Sequence, residues 1–222
     1  MLYAGVCIAE LFMLFLLSRS LTRAISQLLY SLTHNKKITV YILALFFLPG
    51  TVVHELAHFF MAKFLFVYAG DIRLFPELQG HDVKLGSVAV GRTDPIRRFL
   101  IGAAPFFCGT LIIMASILLT ARYEMTNYWI LALTGYIVFE IGNTMFSSKK
   151  DMEGAIELLI AAIVLFIIMY IFRLHPEQPL IAFLQTESIE PILRIGALML
   201  AIPIAVDCTM IGLIKGLHRA VR

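Results

Sequence analysis

The sequence predicts an all-α polytopic membrane protein of about six transmembrane helices, with a small β-hairpin-like insertion after the second apolar span. Three observations predict this class. Hydrophobic residues make up 60% of the 222 positions and charged residues only 15%, with a mean hydropathy of +0.88. A water-facing globular chain carries about 45–50% apolar and about 25% charged residues, so this composition leaves too little polar surface. Long apolar stretches recur along the chain, and one polar excursion between them alternates with a period of two.

A helix needs about 20 apolar residues to cross the hydrocarbon core of a bilayer. Residues 38–66, 99–120, 128–146, 155–172 and 192–214 meet that requirement. Residues 2–17 form a shorter sixth candidate. They lack a basic leader and a small-residue cleavage site, and Arg19 and Arg23 follow, so an uncleaved span is expected rather than a signal peptide. Between the first two spans, Leu21, Ile25, Leu28, Leu29 and Leu32 recur at helical spacing among Arg19, Arg23, Lys36 and Lys37. That pattern fits either a basic amphipathic helix at the headgroups or an extension of the first span.

Residues 71–98 are the longest polar excursion. Val83, Leu85, Ser87 and Ala89 alternate with Lys84, Gly86, Val88 and Val90, and Ile72-Arg73-Leu74 begins a similar pattern. A β-hairpin or short sheet attached to a helical bundle is expected there, with an edge able to pair with an extended peptide; an ordinary loop is the alternative, and Gly86 and Gly91 weaken the strand pattern. No internal repeat or long linker divides the chain, so residues 1–222 read as one integral membrane domain. The larger share of the 18 Lys and Arg falls on the side of the N-terminus, which leans toward a cytoplasmic N-terminus. A multi-pass protein of the cell membrane is the expected location.

The net charge of +3 is small and no basic block is present, which argues against nucleic acid as a partner. Cys7, Cys108 and Cys208 are far apart and form no Cys-x-x-Cys pair, so neither a thiolate metal site nor a redox motif is implied.

Ionisable groups inside apolar spans are expensive and mark function by default. Here they are Glu10, His54, Glu55, His58, Glu140 and Asp207, with Asp151 at a span boundary. Three of them stand in His54-Glu55-Leu56-Ala57-His58. Residues four apart on a helix lie one above the other, so both imidazoles reach one metal ion. Catalytic zinc takes three protein ligands and leaves a position for water, and Glu55 stands where a carboxylate accepts that water's proton as it attacks a carbonyl. Pro49-Gly50 just upstream is expected to kink or restart the helix. The motif demands a third ligand, for which Glu140, Asp151 and Asp207 are candidates. Glu10 and Asp207 otherwise read as satisfied interhelical polar groups, Asp207 through Thr209 or a distant Arg.

After His54-Glu55-x-x-His58 and the strand-like region come Gly102-Ala103-Ala104-Pro105, then Asn143 and, eight positions on, Asp151. In that order and spacing the chain resembles the site-2 protease family of intramembrane zinc metalloproteases, over residues 38–154. It departs from the family pattern in three ways. Phe146 stands where a proline is usual, Met152 and Glu153 separate Asp151 from Gly154, and no PDZ-like domain is inserted. A compact, divergent member is implied. The resemblance implies one Zn2+ held by His54, His58 and Asp151, with Glu55 as the catalytic base. It also implies that Asn143 holds the substrate backbone or stabilises the oxyanion through its amide N–H. Glu140, one turn before Asn143, would support a ligand from behind or replace Asp151. The implied activity is hydrolysis of a peptide bond in a transmembrane or membrane-associated protein, with that protein or peptide and the lipid bilayer as partners. The alternative is a non-catalytic zinc-binding membrane scaffold or regulator derived from such a protease.

Overall fold

A computed structural model describes residues 2–74, 76–79, 82–84, 86–123, 127–146, 160, 163–165, 167–171 and 189–221. Most of them are helical. α1 (Leu2–Thr33), α2 (Lys36–Phe46) and α3 (Leu48–Phe64) precede four short strands. The strands are β1 (Ala69–Arg73), β2 (Glu77–Gln79), β3 (Asp82–Lys84) and β4 (Ser87–Val90), and α4 (Pro95–Arg122), α5 (Tyr128–Thr144) and α6 (Ile189–Val221) follow.

Three helices are long and apolar enough to cross a membrane: Leu2–Thr33, Pro95–Arg122 and Glu190–Leu217. The bent pair α2–α3 makes a fourth if it is counted as one span. The described residues therefore carry three or four such helices, where six were expected. α5 has 17 residues, at the lower limit for a crossing. The expected span 155–172 lies largely outside the described residues. The segment after the first span is a continuation of α1, because Leu21, Ala24 and Ile25 are buried against Leu43, Phe47, Phe139, Ile211 and Ile214.

α2 and α3 meet at an angle of 70° with Phe47 between them. Proline has no N–H and fits a helix only in its first turn, so Pro49 obliges the chain to begin a new helix. Asn35 caps α2 by accepting the N–H groups of Lys37 at 2.9 Å and Ile38 at 3.3 Å. Phe47, at the corresponding position of α3, has no side-chain acceptor to offer. α5 supplies one: the Gly50 N–H donates to Glu140 Oε2 at 3.3 Å.

The other end of α3 turns sharply. Phe66 adopts φ 57°, its N–H donates to the Lys63 carbonyl at 3.1 Å, and the Val67 N–H reaches back to Ala62 at 2.8 Å. These are the paired bonds of a Schellman stop, which aims the chain from α3 into β1. β1 pairs antiparallel with β4, matching Ala69 with Val90, Ile72 with Val88 and Arg73 with Ser87, with an irregularity between Ala69 and Ile72. β2 pairs antiparallel with β3. The alternation over 83–90 is therefore shared between two short pairs rather than running through one hairpin. Ala62, Val67, Ala69 and Ile101 bury the foot of the β1–β4 pair against α3 and α4.

α3 packs on α4 and α5, α4 on α5, and α1 lies lengthwise along α6. Leu14, Ile113, Val138, Ile141 and Met145 fill the centre where α1, α4 and α5 meet. The potential metal helix is thus held on two sides by neighbours whose backbones it can reach.

Candidate metal centre

His54 and His58 stand one turn apart on α3, and their Nε2 atoms face each other at 3.1 Å. The rings are nearly perpendicular, with centroids 4.8 Å apart. His54 Nδ1 lies 2.7 Å from the Thr144 carbonyl, and His58 Nδ1 lies 2.7 Å from the Ile101 carbonyl. A carbonyl only accepts, so each Nδ1 carries a proton, and Nε2 is the nitrogen each ring would offer to a metal. A cation shared between the two Nε2 atoms, a proton or a metal ion, suits that separation.

Both carbonyls are available for a reason written in the chain. Thr144 is the last residue of α5, where carbonyls have no partner within the helix. Ile101 lies inside α4, and its ladder partner four positions on is Pro105, which has no N–H to give. The proline therefore releases an interior carbonyl, and His58 takes it. Sequence reading passed over this use of Pro105. Its signal was a proline four residues beyond an apolar position in a span adjoining the motif helix.

α3 is fixed to α5 at two successive turns, through Gly50 to Glu140 and through His54 to Thr144. Only glycine permits this approach, because a Cβ on Gly50 would lie 2.8 Å from the Glu140 carbonyl oxygen and would strike the Thr144 side chain. Glu140 is 1% exposed, and its other oxygen, Oε1, has no partner among the described residues.

Glu55, 6% exposed, is buried on the same turn as His54. Gly86, in the link between β3 and β4, lies directly over it: a Cβ there would sit 2.9 Å from Glu55 Oε1 and 2.8 Å from Thr51 Cγ2. The strand region thus reaches the motif helix through bare backbone. In the sequence Gly86 stood out only as one member of the alternating run over 83–90, where it weakens the strand pattern.

Asn143 Nδ2 donates to the Phe139 carbonyl at 2.9 Å and to Asp207 Oδ1 at 2.8 Å. Two acceptors fix which end of the amide is nitrogen, and both N–H groups are committed. The atom left over is Oδ1, which is buried without a partner among the described residues. As folded, Asn143 offers an acceptor and not the N–H an oxyanion needs. Asp207 is bound to Asn143 and not to Thr209, whose hydroxyl donates to Val206 instead. Asp207 Oδ2 and Glu10 Oε2 also lack partners among the described residues.

Asp151 lies outside the described residues. Among those described, no set of three His, Cys, Asp or Glu side chains converges to hold a metal, so neither Glu140 nor Asp207 completes a ligand set with the two imidazoles. The imidazole pair itself suits zinc: two Zn–N bonds of about 2.0–2.1 Å at a tetrahedral angle separate their nitrogens by about 3.3 Å. A divalent ion would be held by His54 and His58, with the rest of its shell supplied from elsewhere.

The fold and site define a helical bundle with three or four helices long and apolar enough to cross a membrane, and a facing imidazole pair on α3. Comparison with protein-family models, with curated proteins and with solved structures finds no match to this chain.

Proposed function

We propose that this chain is an intramembrane zinc endopeptidase, a compact and divergent relative of the site-2 proteases, in a multi-pass protein of the cell membrane. The observation that carries the reading is the pair of Nε2 atoms 3.1 Å apart, each ring held by its Nδ1–H, beside a buried glutamate. The two Nε2 atoms turn toward one point, as two ligands of one metal ion must.

His54 and His58 hold the ion, and Asp151 is proposed to close the protein's ligand set. Bound zinc supplies Lewis acidity, polarising the scissile carbonyl and acidifying a water. Glu55 accepts a proton from the attacking water and returns it to the departing amine. Water is thereby added across the C–N bond, leaving a carboxyl and an amine. A substrate helix hides its carbonyls in internal hydrogen bonds and must be extended first, and an extended backbone in an apolar setting needs new partners. In a two-stranded sheet each strand keeps an outer edge, and the β1–β4 pair stands beside Glu55 through Gly86. That edge is the proposed partner of the extended segment.

The test is the Glu55→Gln variant in membranes or nanodiscs, assayed against native protein. Zinc retained with cleavage abolished is the expected result. Cleavage at the native rate would falsify the role of Glu55.

A further inference from the structure

α1 is long and apolar enough to cross a membrane, yet Arg19 and Arg23 stand exposed near its middle. At 1.5 Å per residue, Arg19 lies about 26 Å from Leu2 and Arg23 about 15 Å from Thr33, so neither helix end is close. The second half of α1 is not clear of apolar surface. Leu21 and Ile25 pack on Leu43 and Phe47, and α2 runs back beside them with Ile38, Tyr41, Ile42 and Leu45 exposed. Cations in such a setting are expensive and need a counter-charge. Residues 11–54 contain no Asp or Glu, and among the described residues no carboxylate pairs with either arginine. Arg19 lies over the Phe15 ring at 4.3 Å, a contact that gives no oxygen to its five N–H donors.

The two arginines belong to one ridge. Phe12, Leu16, Arg19, Arg23, Gln27 and Tyr30 recur every three or four residues and are all exposed, so they line a continuous outward face of α1. On the inner side of the same turn, Ser18 donates to the Asn143 carbonyl at 2.9 Å. The arginines are therefore level with the end of α5 that holds His54.

We propose that this ridge is a docking surface for a transmembrane helix of another protein, one that carries an Asp or Glu at matching depth among apolar residues. A helix laid along the ridge meets apolar side chains at Phe12 and Leu16 and brings its carboxylate to Arg19 and Arg23. Guanidinium groups take carboxylates through paired N–H donors, and that pairing gains strength where water is excluded. Lipid headgroups fit less well, because apolar surface borders the arginines on both sides. The inference needs α1 to cross the bilayer and is independent of whether the metal centre cleaves peptides.

The experiment uses native full-length protein in phosphatidylcholine nanodiscs, in mildly alkaline buffer. Three fluorescein-labelled, leucine-rich transmembrane peptides serve as probes, identical except for Glu, Leu or Lys at the centre. The Glu peptide is expected to bind about tenfold more tightly than the Leu peptide, and the Lys peptide more weakly than either. Arg19→Gln combined with Arg23→Gln should remove the preference for Glu. Lys36→Gln combined with Lys37→Gln deletes the same charge at the start of α2 and should leave the preference unchanged. Arg19→Glu combined with Arg23→Glu should turn the preference toward Lys, a gain that a misfolded protein cannot show. Equal binding of the three peptides by native protein overturns the proposal, as does a Glu preference that survives loss of both arginines. Nanodiscs doped with phosphatidylglycerol test the other counter-charge. A preference preserved there supports the helix partner. A preference abolished there, with the lipid retained by native protein and not by the double Gln variant, assigns the arginines to headgroups and overturns the proposal.

Discussion

Pro105 and His58 meet through a single oxygen: the proline cannot donate to the Ile101 carbonyl, and the His58 Nδ1–H occupies it at 2.7 Å. A residue usually read as a helix breaker here acts at a distance, selecting the tautomer of a candidate ligand. Pro105→Ala restores an N–H that competes for the same oxygen. Outer hydrogen-bond partners of metal-bound histidines typically contribute about 10–100-fold in affinity, and a loss in that range is expected. The helix itself should gain stability, since interior proline costs about 3 kcal/mol. Zinc-competition titration and Tm check the two effects, which move in opposite directions.

The junction between α3 and α5 makes a second prediction. Gly50→Ala forces a methyl group against Thr144 and the Glu140 backbone, and overpacking of this kind costs about 1–3 kcal/mol. Glu140→Ala strands the Gly50 N–H, at a similar cost of about 1–3 kcal/mol, whereas Glu140→Gln keeps an acceptor and should be milder. Unfolding in detergent ranks the three variants. Equal loss in the Ala and Gln variants would show that the cap is not what Glu140 contributes.

Gly86→Ala tests the strand link over the glutamate. A Cβ there meets Glu55 Oε1 and Thr51 Cγ2, so either the link lifts or Glu55 turns. Cleavage should fall at least tenfold with zinc content unchanged, a split that separates displacement of the base from loss of the ligands.

One stability contribution depends on pH. Asp94 caps α4, the helix that presents the Ile101 carbonyl, and accepts the Arg97 N–H at 3.0 Å. That hydrogen bond, helped by the Arg97 side chain at 3.3 Å, holds its carboxyl below the ordinary carboxylate range. A depressed folded-state pKa means the contribution is whole at neutral pH, starts to fall at the ordinary carboxylate pKa and is gone below the lowered one. Native protein should therefore lose more stability on acidification than Asp94→Asn, as denaturation midpoints across that acid window will show.

Much of this was legible in the sequence, and the rest was hidden for physical reasons. Apolar length gives α1, α4 and α6 directly, and the His-x-x-x-His spacing gives the facing imidazoles because helical geometry is local. Pro49-Gly50 correctly marks the break before the motif. Hydropathy cannot see that 38–66 folds as two helices at 70°, because both halves are equally apolar. The strand pairing was blurred because one alternating run serves two separate pairs, with Gly86 at the seam. The partner of Asp207 lies 64 residues away on another helix, and no local pattern reports it. For the same reason, the atom Asn143 leaves free emerges only once both its N–H acceptors are in place.

The most direct measurement is the metal content of protein purified without chelators, by elemental mass spectrometry, for native chain and for His54→Ala and His58→Ala. One zinc or similar divalent ion per native chain, lost in both variants, is the predicted result. A native chain free of divalent metal, or one whose metal survives removal of either imidazole, would contradict it.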